Sequence, residues 1–381
     1  MTIGKVNFLL AGLLFALILQ AQTTMQGLYW MIPMPASEGE AQRDLSILKS
    51  NQFLKGVLMG ARWKELEPTR DKYDFSALDR GIAAVREAGK QYKLDIVPGM
   101  HSPEYIYAIG AARFPTKVIN PNRQHYGQAV PIPVPWDPVY QERFSRLIRK
   151  LGERYGSDPL LVSVTLTCAN YMSPEMHLPR TAEDVETWKR LGLTSDRLLS
   201  VYKKYMDEWA KAFPGRFVCL QMSPSTVLPD RTADEFASQI VLYATDRYPG
   251  RFALQRDTLM GRHEMEARAT DPMFKYRDRL VVGYQSLAAF FNPQRQGSIE
   301  MAALNFVRAD AKYWELWQGD GRDIETCRKV TAAIEEARKL GYEKYKQTLI
   351  AAGLYRTPEQ DNWQEVQQEM KARKDAKAAK R

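Results

Sequence analysis

Two glutamates sit in settings where a carboxyl could do chemistry. Glu175 lies in the segment Asn170-Tyr171-Met172-Ser173-Pro174-Glu175-Met176-His177, and Glu315 lies in Tyr313-Trp314-Glu315-Leu316-Trp317. Paired carboxyls across a glycosidic bond can cleave it: one protonates the leaving oxygen, and the other attacks the anomeric carbon or activates water. Pro174 and Met176 flank Glu175, so partial desolvation would keep it protonated, as a proton donor requires. In an extended strand Tyr313, Glu315 and Trp317 share one face, and Trp314 and Leu316 the other. A carboxylate among aromatic rings needs a partner or a function. Arg62 is the expected partner across the mouth, which would keep Glu315 ionised as a nucleophile or base. Asp257 and Asp320 are further carboxyls near the same strand ends.

These side chains need a scaffold that gathers distant segments. Strand-like runs alternate with amphipathic helical runs, which predicts parallel βα units. The strands are expected near residues 28–32, 56–61, 94–98, 161–168, 217–221, 252–256, 280–285 and 312–317. Eight strands, each with room for a helix, predict an α/β chain folded as a (β/α)8 TIM barrel, one domain with long βα loops. In the fourth strand, Val162, Val164 and Leu166 should face the helices, and Ser163, Thr165 and Thr167 the barrel axis. Ser76 and Asp79 read as a capping pair at a helix start, and Asp137-Pro138 opens another helix ended by Gly156. The Pro-, Gly- and Asn-rich stretch from Glu104 to Pro135 reads as a long excursion over the barrel mouth, shaping access to it.

One phrase is specific enough to suggest a family. Arg62-Trp63-Lys64-Glu65-Leu66-Glu67-Pro68, followed by Tyr73-Asp74-Phe75 and Leu78-Asp79, resembles clan A glycoside hydrolases of the family 42 and family 5 types. Such enzymes carry this phrase after the second barrel strand. The resemblance implies a proton donor after strand four, normally as Asn-Glu; here Asn170 and Glu175 are separated by four residues, so Glu175 matches that place loosely. It implies an arginine after strand two (Arg62), a sugar-binding histidine after strand three (His101) and a stacking tryptophan after strand eight (Trp317). Trp30, Trp63, Asn170, His177, Asp257, Gln285 and Tyr313 complete the expected substrate-binding set. The family nucleophile belongs at the end of strand seven, where this chain has Gln285. Three readings stand: a strand count off by one, a Glu175–Glu315 pair acting across a wider, inverting gap, or a barrel that binds sugar without cleaving it.

Composition bounds the rest. The 381 residues carry a formal charge of +9, part of it in the tail from Lys371 to Arg381. Residues 1–21, with Lys5, an apolar run from Phe8 to Leu19 and Ala21, read as a secretory signal rather than a membrane anchor, because the run is shorter than the ~20 residues a spanning helix needs. Residues 22–358 then form the barrel, and 359–381 a basic, solvated tail, helical or frayed. The protein is expected to be secreted or periplasmic, with no stable membrane insertion and no nucleic-acid partner. Cys168, Cys219 and Cys327 and the four histidines show no metal-ligand spacing. The expected activity is hydrolysis of an oligo- or polysaccharide with no metal or organic cofactor. The alternative is a silent carbohydrate-binding barrel, and a lyase-type barrel is a weaker third reading.

Overall fold

The computed structural model of the protein describes residues 24–118, 126–223 and 228–378. The expected signal at 1–21 lies outside them. Ten strands are present among the described residues: β1 Gly27–Pro33, β2 Leu54–Arg62, β3 Gln91–Val97, β4 Arg113–Lys117, β5 Ala129–Pro133, β6 Leu161–Thr165, β7 Phe217–Met222, β8 Phe252–Leu259, β9 Val281–Ser286 and β10 Tyr313–Leu316. Eight close into a parallel barrel in the order β1-β10-β9-β8-β7-β6-β3-β2. Helices between them cover its outside, so the protein is a (β/α)8 barrel. The eight expected strands all form. No described helix is long and apolar enough to cross a membrane.

Local chemistry sets the helix ends. Asp137 accepts from the Tyr140 amide at 2.8 Å, Pro138 occupies the first turn, and the helix Pro138–Tyr155 stops at Gly156. The expected capping pair at Ser76 is replaced by another arrangement. The Ser76 amide donates to Asp74, while Asp79 turns outward to Arg154 at 2.5 Å and to the Tyr155 hydroxyl at 2.8 Å. Asp79 thus ties two neighbouring helices together instead of capping its own.

The barrel interior is filled, as its radius demands. Its floor is Met25, Tyr29, Val162, Cys219, Ala253 and Tyr313. The Tyr313 ring occupies the space a side chain at residue 283 would need, with its Cζ 1.9 Å from where a Cβ would lie, so Gly283 has no substitute. Val162 was expected to face the helices. It faces the axis because the β3–β6 register shifts between Tyr92 and Lys93, a bulge that turns an extra β6 residue inward. Thr165 does point inward, donating to Asp95. All three cysteines are buried free thiols.

The described parts of the stretch 104–135 are not an open loop. They hold a short helix, Tyr105–Ala108, and the antiparallel β4–β5 hairpin, in which Phe114 pairs with Ile132. Phe114 stacks on Trp188 with ring centroids 3.7 Å apart, so apolar burial folds a segment that its Pro and Gly content marks as irregular.

The buried chemistry of the 62–79 phrase is structural. Glu67 is fully buried, accepts from the Trp63 indole at 3.0 Å and pairs with buried Arg143 at 2.6 Å. Arg143 also holds Asp71 at 2.7 Å. Removing one partner strands a buried charge. Glu67→Ala should therefore destabilise the protein by about 3–5 kcal/mol, read as a lower urea midpoint; a change below 1 kcal/mol would show the pair to be dispensable.

A second ion cluster seats the C-terminal helices. Glu264 accepts from Tyr342, Tyr355 and Lys346 and pairs with Arg308 at 2.8 Å. Burial alone would push its carboxyl up, but these donors and cations win and pull its pKa down to about 2. The folded pKa lies below the unfolded one, so this contribution is complete above about 4.5 and lost as pH falls toward 2. Glu264→Gln should accordingly flatten part of the acid limb of the melting temperature between those values, and an unchanged limb would remove Glu264 from the acid response.

Candidate active site

Above the floor, polar side chains project from alternate positions of the strands. Lys93 and Asp95 come from β3, Thr165 from β6, Gln221 from β7, Gln255 and Asp257 from β8, Gln285 from β9 and Glu315 from β10. The Lys93 ammonium is fully buried against Glu315 and lies 4.1 Å over the Tyr313 ring. Burial opposes its charge, but Glu315 and Asp95 offset this and hold its pKa above the ordinary lysine range.

Gln255 links this pair to the mouth. Its Oε1 accepts from Lys93 at 3.0 Å and from the Tyr313 hydroxyl at 2.7 Å, which fixes the amide orientation. Its Nε2 then donates to Glu315 and to Asp257, each at 2.8 Å. Asp95 is held by Thr165 and by Gln221 at 2.8 Å.

A cavity of about 670 Å³ opens over this stack at the C-terminal ends of the strands. Asp95, Glu175, Asp257, Gln285, Arg295 and Trp317 are among its lining residues. This is the face on which such barrels carry their chemistry. Burial pushes the Asp257 carboxyl well above its usual range, and the negative charges of Glu175 and Glu315 push it further. A second lobe of about 630 Å³ shares Gly60, Val97 and Met172 with the first and extends beneath the hairpin, lined by Arg62, Lys64, His101, Val130 and Pro131.

Glu175 reaches the cavity on a built loop. Asn170 is buried; its Oδ1 accepts from the Cys168 amide, and its Nδ2 donates to the carbonyls of Pro174 and Glu175, all at 2.8 Å. The Met176 amide donates to Gln221 at 2.8 Å, anchoring the far end to β7. Ser173 donates to the Glu175 carboxylate at 3.1 Å. Gly99, at φ +62°, lets the β3 turn approach this loop: a Cβ there would lie 2.2 Å from the Tyr171 carbonyl oxygen.

The expected residues divide into three groups. Glu175, Asp257, Gln285 and Trp317 meet in the first lobe, and Arg62 and His101 line the second. Trp317 donates its indole N–H to the Ser286 carbonyl at 2.7 Å, which fixes a partly exposed ring at the rim. Asn170 clasps the loop instead of facing sugar, and His177 packs beside Tyr171 behind it. Trp30, Trp63, Tyr313 and Glu315 do not line either lobe. Trp30 faces outward from β1, under the helix Gln318–Arg322, and donates to the Gln318 carbonyl at 3.0 Å. Trp63 packs on Tyr140 and Phe144. Tyr313 belongs to the floor. Glu315 does face the axis with Tyr313, as alternation requires, but it is fully buried and its partner is Lys93. Arg62, its expected partner, bonds Glu65 at 3.2 Å at the surface.

Lys93, Asp95, Gln221 and Gln255 were missed. Their signal was available: polar residues at a period of two inside apolar runs mark side chains that share the barrel axis. Among the described residues, no group of three or more His, Cys, Asp or Glu is placed to hold a metal ion.

Asn170→Ala should free the loop, exposing its carbonyls and the Cys168 amide. Amide hydrogen exchange at Cys168 and Met176 should accelerate at least tenfold, beyond any change in global unfolding; unchanged local protection would show the loop to hold without the clasp.

Comparison with known proteins places this geometry. Residues 32–195 match a glycoside hydrolase family 42 profile described as Beta-galactosidase. Beta-galactosidase LacZ of Heyndrickxia coagulans is 30% identical over 104 residues, which are 26% of this chain and 15% of that protein. A solved beta-galactosidase from the psychrophilic Marinomonas ef1 superposes with a TM-score of 0.54 at 12% identity, over 82% of this chain and 60% of that one. The catalytic domain of beta-amylase from Paenibacillus polymyxa gives 0.51 at 11% identity, over 81% and 99%. The chain thus spans only part of these beta-galactosidases and shares their barrel. Its resemblance to clan A glycoside hydrolases of the family 42 type extends over residues 32–195, well beyond the phrase at Arg62–Asp79.

Proposed function

We propose that this protein hydrolyses glycosidic bonds, using Asp257 as proton donor and Glu175 as the opposing base or nucleophile. The observation that carries this is their convergence: both carboxyls line one cavity at the C-terminal face of the barrel. Paired carboxyls divide acid and base work when one of them is held protonated. Asp257 is kept protonated by burial and by the charges of Glu175 and Glu315. Glu175, on its Ser173-braced loop, supplies the ionised partner. As the bond breaks, the Asp257 proton moves to the leaving oxygen, and the Gln255 N–H already at Asp257 Oδ1 receives the new carboxylate. Glu175 either takes a proton from the water attacking the anomeric carbon or attacks that carbon itself, with water then releasing the sugar. This assignment moves the donor role from Glu175 to Asp257, gives Glu175 the part expected of Glu315, and leaves Glu315, buried against Lys93, as a support beneath them.

The names of the matched relatives make aryl β-galactosides the first substrates to test. Glu175→Gln should lower kcat by about 10²–10⁴-fold. Asp257→Asn should spare substrates with acidic leaving groups, which need little protonation. Activity should also decline as pH rises through the raised Asp257 pKa, because the donor loses its proton, and Asp257→Asn should abolish that alkaline limb. Full activity in both variants on every active substrate would overturn the assignment. The second reading, a silent sugar-binding barrel, is favoured by Gln285 at the strand-seven end; binding without turnover across a glycoside panel would establish it.

We also propose export through residues 1–21, on the strength of Lys5, the apolar run from Phe8 to Leu19 and Ala21. N-terminal sequencing of protein from its host should begin near Gln22, and a chain beginning at Met1 would refute cleavage.

A further inference from the structure

The two lobes differ in charge. The first presents the carboxylate of Glu175 above the buried carboxyls Asp95 and Asp257, the latter held protonated, with Arg295 at its rim. The second has Arg62 and Lys64, with the His101 ring beside them, and the one carboxylate among its described lining residues, Glu104, is already paired with Arg113 at 2.9 Å. Arg62 gives one N–H to Glu65, leaving most of its five donors for another acceptor. Lys64 forms no ion pair with any described residue and is exposed. A carbohydrate crossing from one lobe to the other therefore passes from an acidic into a basic environment.

From this asymmetry we infer that the second lobe is a subsite for a sugar carrying an anionic group, a carboxylate or a sulfate, adjoining the neutral sugar held over Glu175 and Asp257. The inference rests on the proposed hydrolysis for the position of the cleaved bond, but the subsite itself is a matter of binding. An anionic ring in the first lobe would meet Glu175 and be repelled. In the second it meets a guanidinium fork suited to two acceptor oxygens and an ammonium beside it. The lobe is large enough for a ring and lies partly under Val130 and Pro131 of the hairpin, which would limit the water around the charged contact. A linear glycan in which neutral and acidic residues adjoin fits both halves of the cleft; a purely neutral glycan leaves Lys64 without a counter-charge.

The test is calorimetric titration of full-length Glu175→Gln protein with three sets of galactose-containing oligosaccharides: neutral, uronate-bearing and sulfated. Acidic sets should bind at least roughly tenfold more tightly than the neutral set at low salt, with the gap shrinking as salt rises. Lys64→Glu, an exposed change whose folding is checked by its melting temperature, should erase that preference. The uronate and sulfate arms identify which anion the lobe takes. Equal binding of neutral and acidic sets, or a preference that survives Lys64→Glu, overturns the subsite. Turnover of aryl glycosides by the unaltered protein is scored separately, so failed hydrolysis and a failed subsite are told apart.

Discussion

A charged pair sealed inside a closed barrel governs the arrangement of this protein. Lys93 and Glu315 face each other across the axis with no access to water. Two such ions survive there only when their remaining donors and acceptors are met. Gln255 meets both, and Tyr313 fixes the orientation in which it can. Everything above follows from that orientation. The Gln255 amide presents an N–H upward to Asp257, and the Glu315 charge beneath helps to keep Asp257 protonated. The floor below is the Tyr29–Tyr313 edge-on contact and the glycine at 283 that makes room for it. The buried pair is thus a foundation for the mouth carboxyls.

The wall of the barrel and its mouth answer to different constraints. The phrase beginning at Arg62 packs the helix Pro138–Tyr155 against the barrel through Glu67, Arg143, Asp79 and Arg154. Its aromatic residues are core, with Trp63 against Tyr140 and Phe144. The buried ion pair it makes with Arg143 cannot lose one member cheaply. Its buried half is a marker of architecture, and Arg62 and Lys64 at its start face the second lobe. The first lobe is built instead by short segments after β3, β6, β8 and β10, each positioned by a local device: the left-handed turn at Gly99, the Asn170 clasp, the Gln255 amide and the indole of Trp317 bonded to Ser286.

The order of elements was legible in the residues themselves. Apolar runs of strand length alternating with amphipathic runs of helix length admit few folds, and period-two alternation correctly turned Tyr313 and Glu315 to the axis and Trp314 away from it. Caps such as Asp137-Pro138 are read locally because their bonds are local. Glu175 was legible as a mouth carboxyl because it lies in the loop that leaves the fourth barrel strand.

Pairing across the barrel was not legible. Lys93 lies 222 residues from Glu315, and nothing in either neighbourhood names the other. The bulge that turns Val162 inward exists only in the register between two strands. The hairpin at 113–133 folds because Trp188 supplies a surface for Phe114, a contact from another part of the chain. Depth is likewise a tertiary quantity. Glu315 and Asp257 both end strands, yet one lies beneath the cavity and the other lines it. The residues alone determined that this chain would build a parallel barrel with carboxyls gathered at one end, because propensity and periodicity act over a few residues. Only the closed barrel decided which carboxyls reach solvent and which are neutralised within, because burial and charge depend on every strand at once.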